Sequence, residues 1–157
     1  MGRANQNPAE ILTRGIEILN PTLSAHGFRY VAGGRGASSG GDFASGKYVR
    51  WRRTLGLHVR YQLGLVIYKF GGNSMRHEVF MRAVLGKDGG SRYPGFSDDP
   101  MDAFRDLRYD LENFGMAFLR GDAKAFQQCV EMARAARKLS GIERVDQNWP
   151  SAIEEVS

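Results

Sequence analysis

From Tyr48 to Phe70 the apolar residues recur with a period of two, and no other feature of the chain restricts its fold as much. Val49 and Trp51 alternate with Tyr48, Arg50 and Arg52; Leu55, Leu57, Val59 and Tyr61 alternate with Thr54, Gly56, His58 and Arg60. Successive side chains of a strand point to opposite faces, so the alternation predicts strands with one buried and one outward side. Leu65 to Phe70 is apolar on both sides, the pattern of a strand covered on both faces. "LGLHVRY" and "LGLVIYK" echo one another and read as neighbouring strands. With a short strand over 28–32, these segments predict an antiparallel sheet of three to four strands.

Helices flank this sheet. Asn7, Pro8 and Glu10 supply an N-cap, a first-turn proline and a capping-box-like spacing. The stripe Ile11, Leu12, Ile16, Leu19 and Leu23 follows, so a helix is predicted over 7–26, kinked or divided at Pro21 and stopped by Gly27. "GGRGASSGGD", residues 33–42, has five glycines in ten and is expected to be a mobile loop. After a turn at 71–74, Ser74 is the expected cap of a short helix over 75–85, and a long loop fills 86–100. Asp99 and Pro100 open a helix striped by Phe104, Leu107, Leu111, Phe114 and Phe118. Gly121 and Asp122 break and recap the chain before a last helix lined by Phe126, Cys129, Val130, Ala133 and Ala136. The expected organisation is a single α+β domain over 1–140 with helices from both ends of the chain packed on the sheet, and a loosely held tail over 141–157.

A chain of 157 residues with 42% apolar content can bury a core as one domain. It contains no apolar run near the roughly eighteen residues that span a bilayer. "MGRANQNPAE" lacks the apolar centre of a signal peptide. A cytoplasmic location without membrane association is expected. Cys129 is the sole cysteine, which rules out an internal disulfide and a cysteine-rich zinc site. The net charge of +5 is uneven: residues 1–97 hold fourteen Lys/Arg against five Asp/Glu, and residues 98–157 hold eight against twelve. A basic half faces nucleic acid, an acidic protein, an anionic surface or its own acidic half.

Several motifs are incomplete. Gly41, Gly46 and Lys47 match part of a phosphate-binding loop, but Tyr48 stands where the magnesium-binding hydroxyl belongs and a strand, not a helix, follows. "GRGASSG" misses the dinucleotide fingerprint at Ser39. His77-Glu78 resembles the start of a zinc-protease helix, yet Met81 occupies the second histidine position; His77 is expected on the surface of a helix's first turn. Cys129 lies on an apolar helix side and is expected to be a buried structural thiol. Asp98, Asp102, Asp106 and Asp110 stand four apart along one helix side, expected to be a solvated face. No cofactor, metal or catalytic residue is assigned.

The basic cluster has more to offer. Arg50, Arg52 and Arg53 crowd a strand end, and Arg60 and His58 share a face of the next strand. Tyr48 and Tyr68 are expected beside them. Such a face holds an acidic protein or single-stranded nucleic acid. Tyr93 and Phe96 on the long loop are the expected aromatic anchors.

"GFRY", "GRGASSGGDFASGKYVR", "LGLHVRYQLGLVIYKFG", "SMRHEVFMRAV" and "RYPGFSDDP" together resemble a group of uncharacterised bacterial α+β proteins over about residues 8–135. In layout the chain is also similar to small immunity proteins of bacterial toxin systems. That resemblance implies masking of a toxin surface and carries over no individual binding residue. The chain departs from inhibitors of nuclease toxins in being basic. The expectation is therefore a non-enzymatic binding or accessory protein whose partner is an acidic protein, contacted by Arg50, Arg52, Arg53, Arg60, Tyr93 and Phe96. Nucleic-acid binding by the same arginines and an enzyme with an unrecognised site are the alternatives; a homodimer is a further arrangement to test.

Overall fold

The computed structural model describes residues 7–38 and 41–148. Five strands form one antiparallel sheet in chain order: β1 (Arg29–Ser38), β2 (Gly41–Arg50), β3 (Arg53–Val59), β4 (Leu63–Phe70) and β5 (Asn73–Arg76). The α+β class follows the sequence expectation, with five strands in place of three to four. The additional strand is β5, and the expected loop at 33–42 lengthens β1 and β2. Part of the glycine-rich stretch, expected to be a loop, continues β1 and begins β2, pairing Ala37 with Asp42 and Ser38 with Gly41. Ladder hydrogen bonds there satisfy backbone groups that a loop leaves to water, which offsets the entropy lost by ordered glycine. Ser74 does not cap a helix; it sits in β5 opposite Lys69.

The helices are α1 (Pro8–Ala25), α2 (His77–Leu85), α3 (Pro100–Phe114), α4 (Met116–Leu119) and α5 (Ala123–Asn148). Asn7 Oδ1 accepts the Glu10 amide at 2.8 Å, and α1 runs through Pro21 without dividing. Asp99 and Asp122 cap α3 and α5 by accepting the amides of Met101 and Ala125. The expected domain boundary at 140 falls inside α5, and residues 149–157 lie outside the described residues. None of the described helices is long and apolar enough to cross a membrane.

All five strands contribute to one buried row, Tyr30, Tyr48, Leu55, Tyr68 and Met75, aligned by register. Four of these are buried and Tyr30 is half-buried. The Tyr48 phenol donates to Asn20 Oδ1 at 2.6 Å on α1, with the Ile16 carbonyl at 3.3 Å. A phenol with such partners is buried at little cost. This reverses the expected facing of β2 and β4: Tyr48 and Tyr68 belong to the core, and Val49 lies on the other side. Helix α1 meets α3 where Phe104 lies directly against Gly15, a contact that leaves no room for a side chain.

Candidate functional site

Among the described residues, nothing covers the second face of the sheet. Two register rows cross it, Arg29–Val49–Thr54–Lys69–Ser74 and Val31–Lys47–Gly56–Ile67–Arg76. A third row, Ser45–His58–Leu65, lies beside them. The central residues of these rows line a shallow groove of about 400 Å³, among them Ser45, Lys47, Gly56, His58, Ile67 and Lys69, while Arg29 and Arg76 stand outside it. All the lining residues belong to strands; no described helix contributes one. The centre is aliphatic, and the perimeter is cationic. Arg29, Lys47, Lys69 and Arg76 are exposed. The strands carry one carboxylate, Asp42, which shares the register parity of the buried Ala44 and so belongs to the opposite side.

The two-sided apolar character of β4 is thus answered differently from expectation. Val66, Tyr68 and Phe70 are buried by the helices, while Leu65 and Ile67 are half-buried on the bare face. The sequence has the pattern of a doubly covered strand, but the described residues cover it once.

The six contact residues expected from sequence are scattered. Trp51 and Arg52, at φ +25° and +57°, form a two-residue hairpin turn that pairs Arg50 with Arg53. Both then share the parity of Tyr48 and Leu55 and lie on the helix side. Arg53 is only 7% exposed; its Nη1 donates to the Phe118 carbonyl at 2.9 Å and its guanidinium lies 4.3 Å from the Phe70 ring centre. Arg50 Nη1 donates to the Leu119 carbonyl at 2.8 Å. These two arginines fasten α4 to the sheet. Arg52 is exposed at the turn, 5.7 Å from the Trp51 ring centre. Arg60 is half-buried, donating to the Gly41 carbonyl at 2.9 Å, with its guanidinium 6.0 Å from the Phe43 ring centre. Tyr93 is 4% exposed, its Oη donating to the Leu63 carbonyl at 2.7 Å, so it is a core residue and not a surface anchor. Phe96 is fully exposed. The cations missed were Arg29, Lys47, Lys69 and Arg76. The available signal was the spacing of two that Arg29, Lys47 and Lys69 keep from Val31, Val49 and Ile67, which puts them on one face, legible as an outer face only once the parity of each strand is known.

A polar cluster lies on the opposite side of the sheet. Tyr68 Oη is 2.7 Å from His77 Nδ1, and His77 Nε2 is 2.8 Å from Asp110 Oδ2. Asp110 also accepts the amides of Arg92 at 2.7 Å and Tyr93 at 2.9 Å. A carboxylate only accepts, so Nε2 donates to Asp110, and in the neutral imidazole Nδ1 then accepts from the Tyr68 hydroxyl. Burial pushes the Tyr68 phenol well above its ordinary range, and the Asp110 charge adds to this. The residue types suit proton transfer, but His77 and Asp110 are both 0% exposed. The cluster corrects two expectations, since neither His77 nor Asp110 lies on a solvated helix face. Its evident work is to pin the 89–99 loop to α2 and α3. Among the described residues no group of His, Cys, Asp and Glu is placed to hold a metal ion. Cys129 is buried, and burial raises its thiol pKa.

No family model, curated protein or solved structure matches this chain. The class that its own geometry defines is an α+β protein with helices on one side of a five-stranded meander and a cation-rimmed apolar groove on the other.

Proposed function

We propose that this chain is a non-enzymatic binding protein that masks an acidic surface of a protein partner, in the immunity-type manner, through the bare face of its sheet. One observation carries the reading: the face joins an aliphatic centre to Arg29, Lys47, Lys69 and Arg76 without a carboxylate. An apolar centre with a polar rim is the usual anatomy of a protein interface. The uniform sign selects an acidic partner and speeds its approach. It also disfavours a homodimer through this face, because a two-fold axis sets a patch against itself and would bring like charges together.

Single-stranded nucleic acid requires aromatic platforms open to bases. Here Phe43 and His58 are stacked on one another at 5.3 Å, while Trp51 and Tyr61 project from turns at opposite ends of the sheet. The protein reading is therefore preferred.

The test is selection of a displayed library of random dodecapeptides on the immobilised full chain. Acidic residues interleaved with apolar ones should be enriched, and binding should fall at least tenfold in the Lys47→Glu/Lys69→Glu double variant. Selection without acidic enrichment, or binding indifferent to that variant, defeats the proposal. Binding of an oligothymidylate with a steep salt dependence would favour nucleic acid instead.

A further inference from the structure

We propose that the free edge of β1 receives an extended segment of the acidic partner, which joins the sheet as a sixth strand; this inference rests on the reading of the bare face given above. Strand β1 is ten residues long and, among the described residues, outermost and paired only with β2. The opposite edge is the four-residue β5, against which α5 packs. An exposed edge is a row of unpaired backbone donors and acceptors, and proteins ordinarily blunt it with charged side chains, proline, a bulge or brevity. Strand β1, RYVAGGRGAS, is long and has neither lysine nor proline; its charges are Arg29 and Arg35, and its register irregularity between Ala32 and Arg35 leaves Arg29–Ala32 regular. Residues 32–37 are all exposed, and three of them are glycines with no side chain to hold another backbone away. At Gly34 no atom lies within 4 Å of where a Cβ would stand.

The register irregularity between Ala32 and Arg35 divides the edge. Its regular part, Arg29–Ala32, with Arg29 and Ala32 exposed and Tyr30 and Val31 half-buried, lies beside Val49 to Gly46 and leads directly into the two rows of the bare face. A strand added there would place alternate side chains on that face, next to Arg29 and Val31, with Lys47 one strand further in. Main-chain hydrogen bonds would supply general affinity and the alternate side chains the selectivity, as in other strand-addition complexes. Acidic side chains at those positions complement Arg29 and Lys47. A second copy fits less well, since β1 paired with itself brings together Arg29 and Arg35 of both chains with no carboxylate on either strand.

The experiment uses the full chain and the enriched dodecapeptide from the selection. Saturating peptide should slow hydrogen exchange of amides within 29–38 at least tenfold. N-methylation of alternate peptide residues along one edge should weaken binding at least tenfold, and along the other edge leave it unchanged. If β1 exchange is unaffected while Lys47→Glu/Lys69→Glu still abolishes binding, the face stands and the edge is refuted. If β1 is protected but the charge variant binds normally, strand addition stands and the face reading falls. A concentration-dependent dimer in sedimentation, with β1 protected before peptide is added, assigns the edge to a second copy and overturns the proposal. A selection that yields no peptide overturns both.

Discussion

His77 Nε2 lies 2.8 Å from Asp110 Oδ2, and solvent reaches neither side chain. The pair joins the start of α2 to α3 across 33 residues of sequence, and Asp110 holds two loop amides besides. The most catalytic-looking residues of this molecule are thus among its most structural.

Replacing Asp110 by Ala strands the Arg92 and Tyr93 amides and one nitrogen of His77. Buried groups left without partners cost roughly 1–3 kcal/mol each, so a loss of about 3 kcal/mol of unfolding free energy is expected. Urea denaturation at neutral pH measures it. A loss below about 1 kcal/mol would mean that the cluster does not organise the loop.

Arg53 and Lys47 should behave oppositely. Arg53→Ala removes the bond to the Phe118 carbonyl and the packing over Phe70, and should cost on the order of 2 kcal/mol. Lys47→Ala, on the exposed face, should change stability by no more than about 0.5 kcal/mol. Equal effects in parallel melts would contradict the assignment of the two sides of the sheet.

Gly15→Ala tests the contact between α1 and α3. In a free helix this exchange stabilises by about 0.5–1 kcal/mol. Here the added methyl meets the Phe104 ring, so the sign should reverse, with a loss of roughly 1 kcal/mol or more. Combining it with Phe104→Leu should recover part of the loss. A simple gain in melting temperature would show that the two helices do not approach so closely.

Asp106 sets a pH dependence. Burial raises its pKa above the ordinary 3.8, and the nearby Asp102 and Asp110 charges add to this, against a lowering by Arg92. The folded chain therefore holds this proton more tightly than the unfolded one, and the group's contribution to stability declines as pH rises through the carboxylate range. Asp106→Asn should be more stable than the parent at neutral pH, with the difference shrinking as pH falls through the raised folded-state pKa and levelling off below the ordinary carboxylate pKa. A pH-independent difference in denaturation midpoints would count against this origin.

The α+β class, the caps at Asn7, Asp99 and Asp122, and the amphipathic stripe of α3 were all legible in the sequence, because each depends on neighbours within a turn or two. The strand period was equally legible over 48–70. Its parity was not: alternation states that two faces differ, and only packing states which one is buried. A phenol at Tyr48 reads as polar until Asn20 of α1 is found beside it, 28 residues away. Arg50 and Arg53 read as surface charge until the carbonyls of Leu119 and Phe118 are found to accept from them. Glycine-rich chain reads as loop until a partner strand supplies its hydrogen bonds. Local sequence sets the helices, the strand period and the excess of positive charge. Tertiary structure alone decided which cations face outward together, because burial of a polar side chain depends on partners distant in the chain.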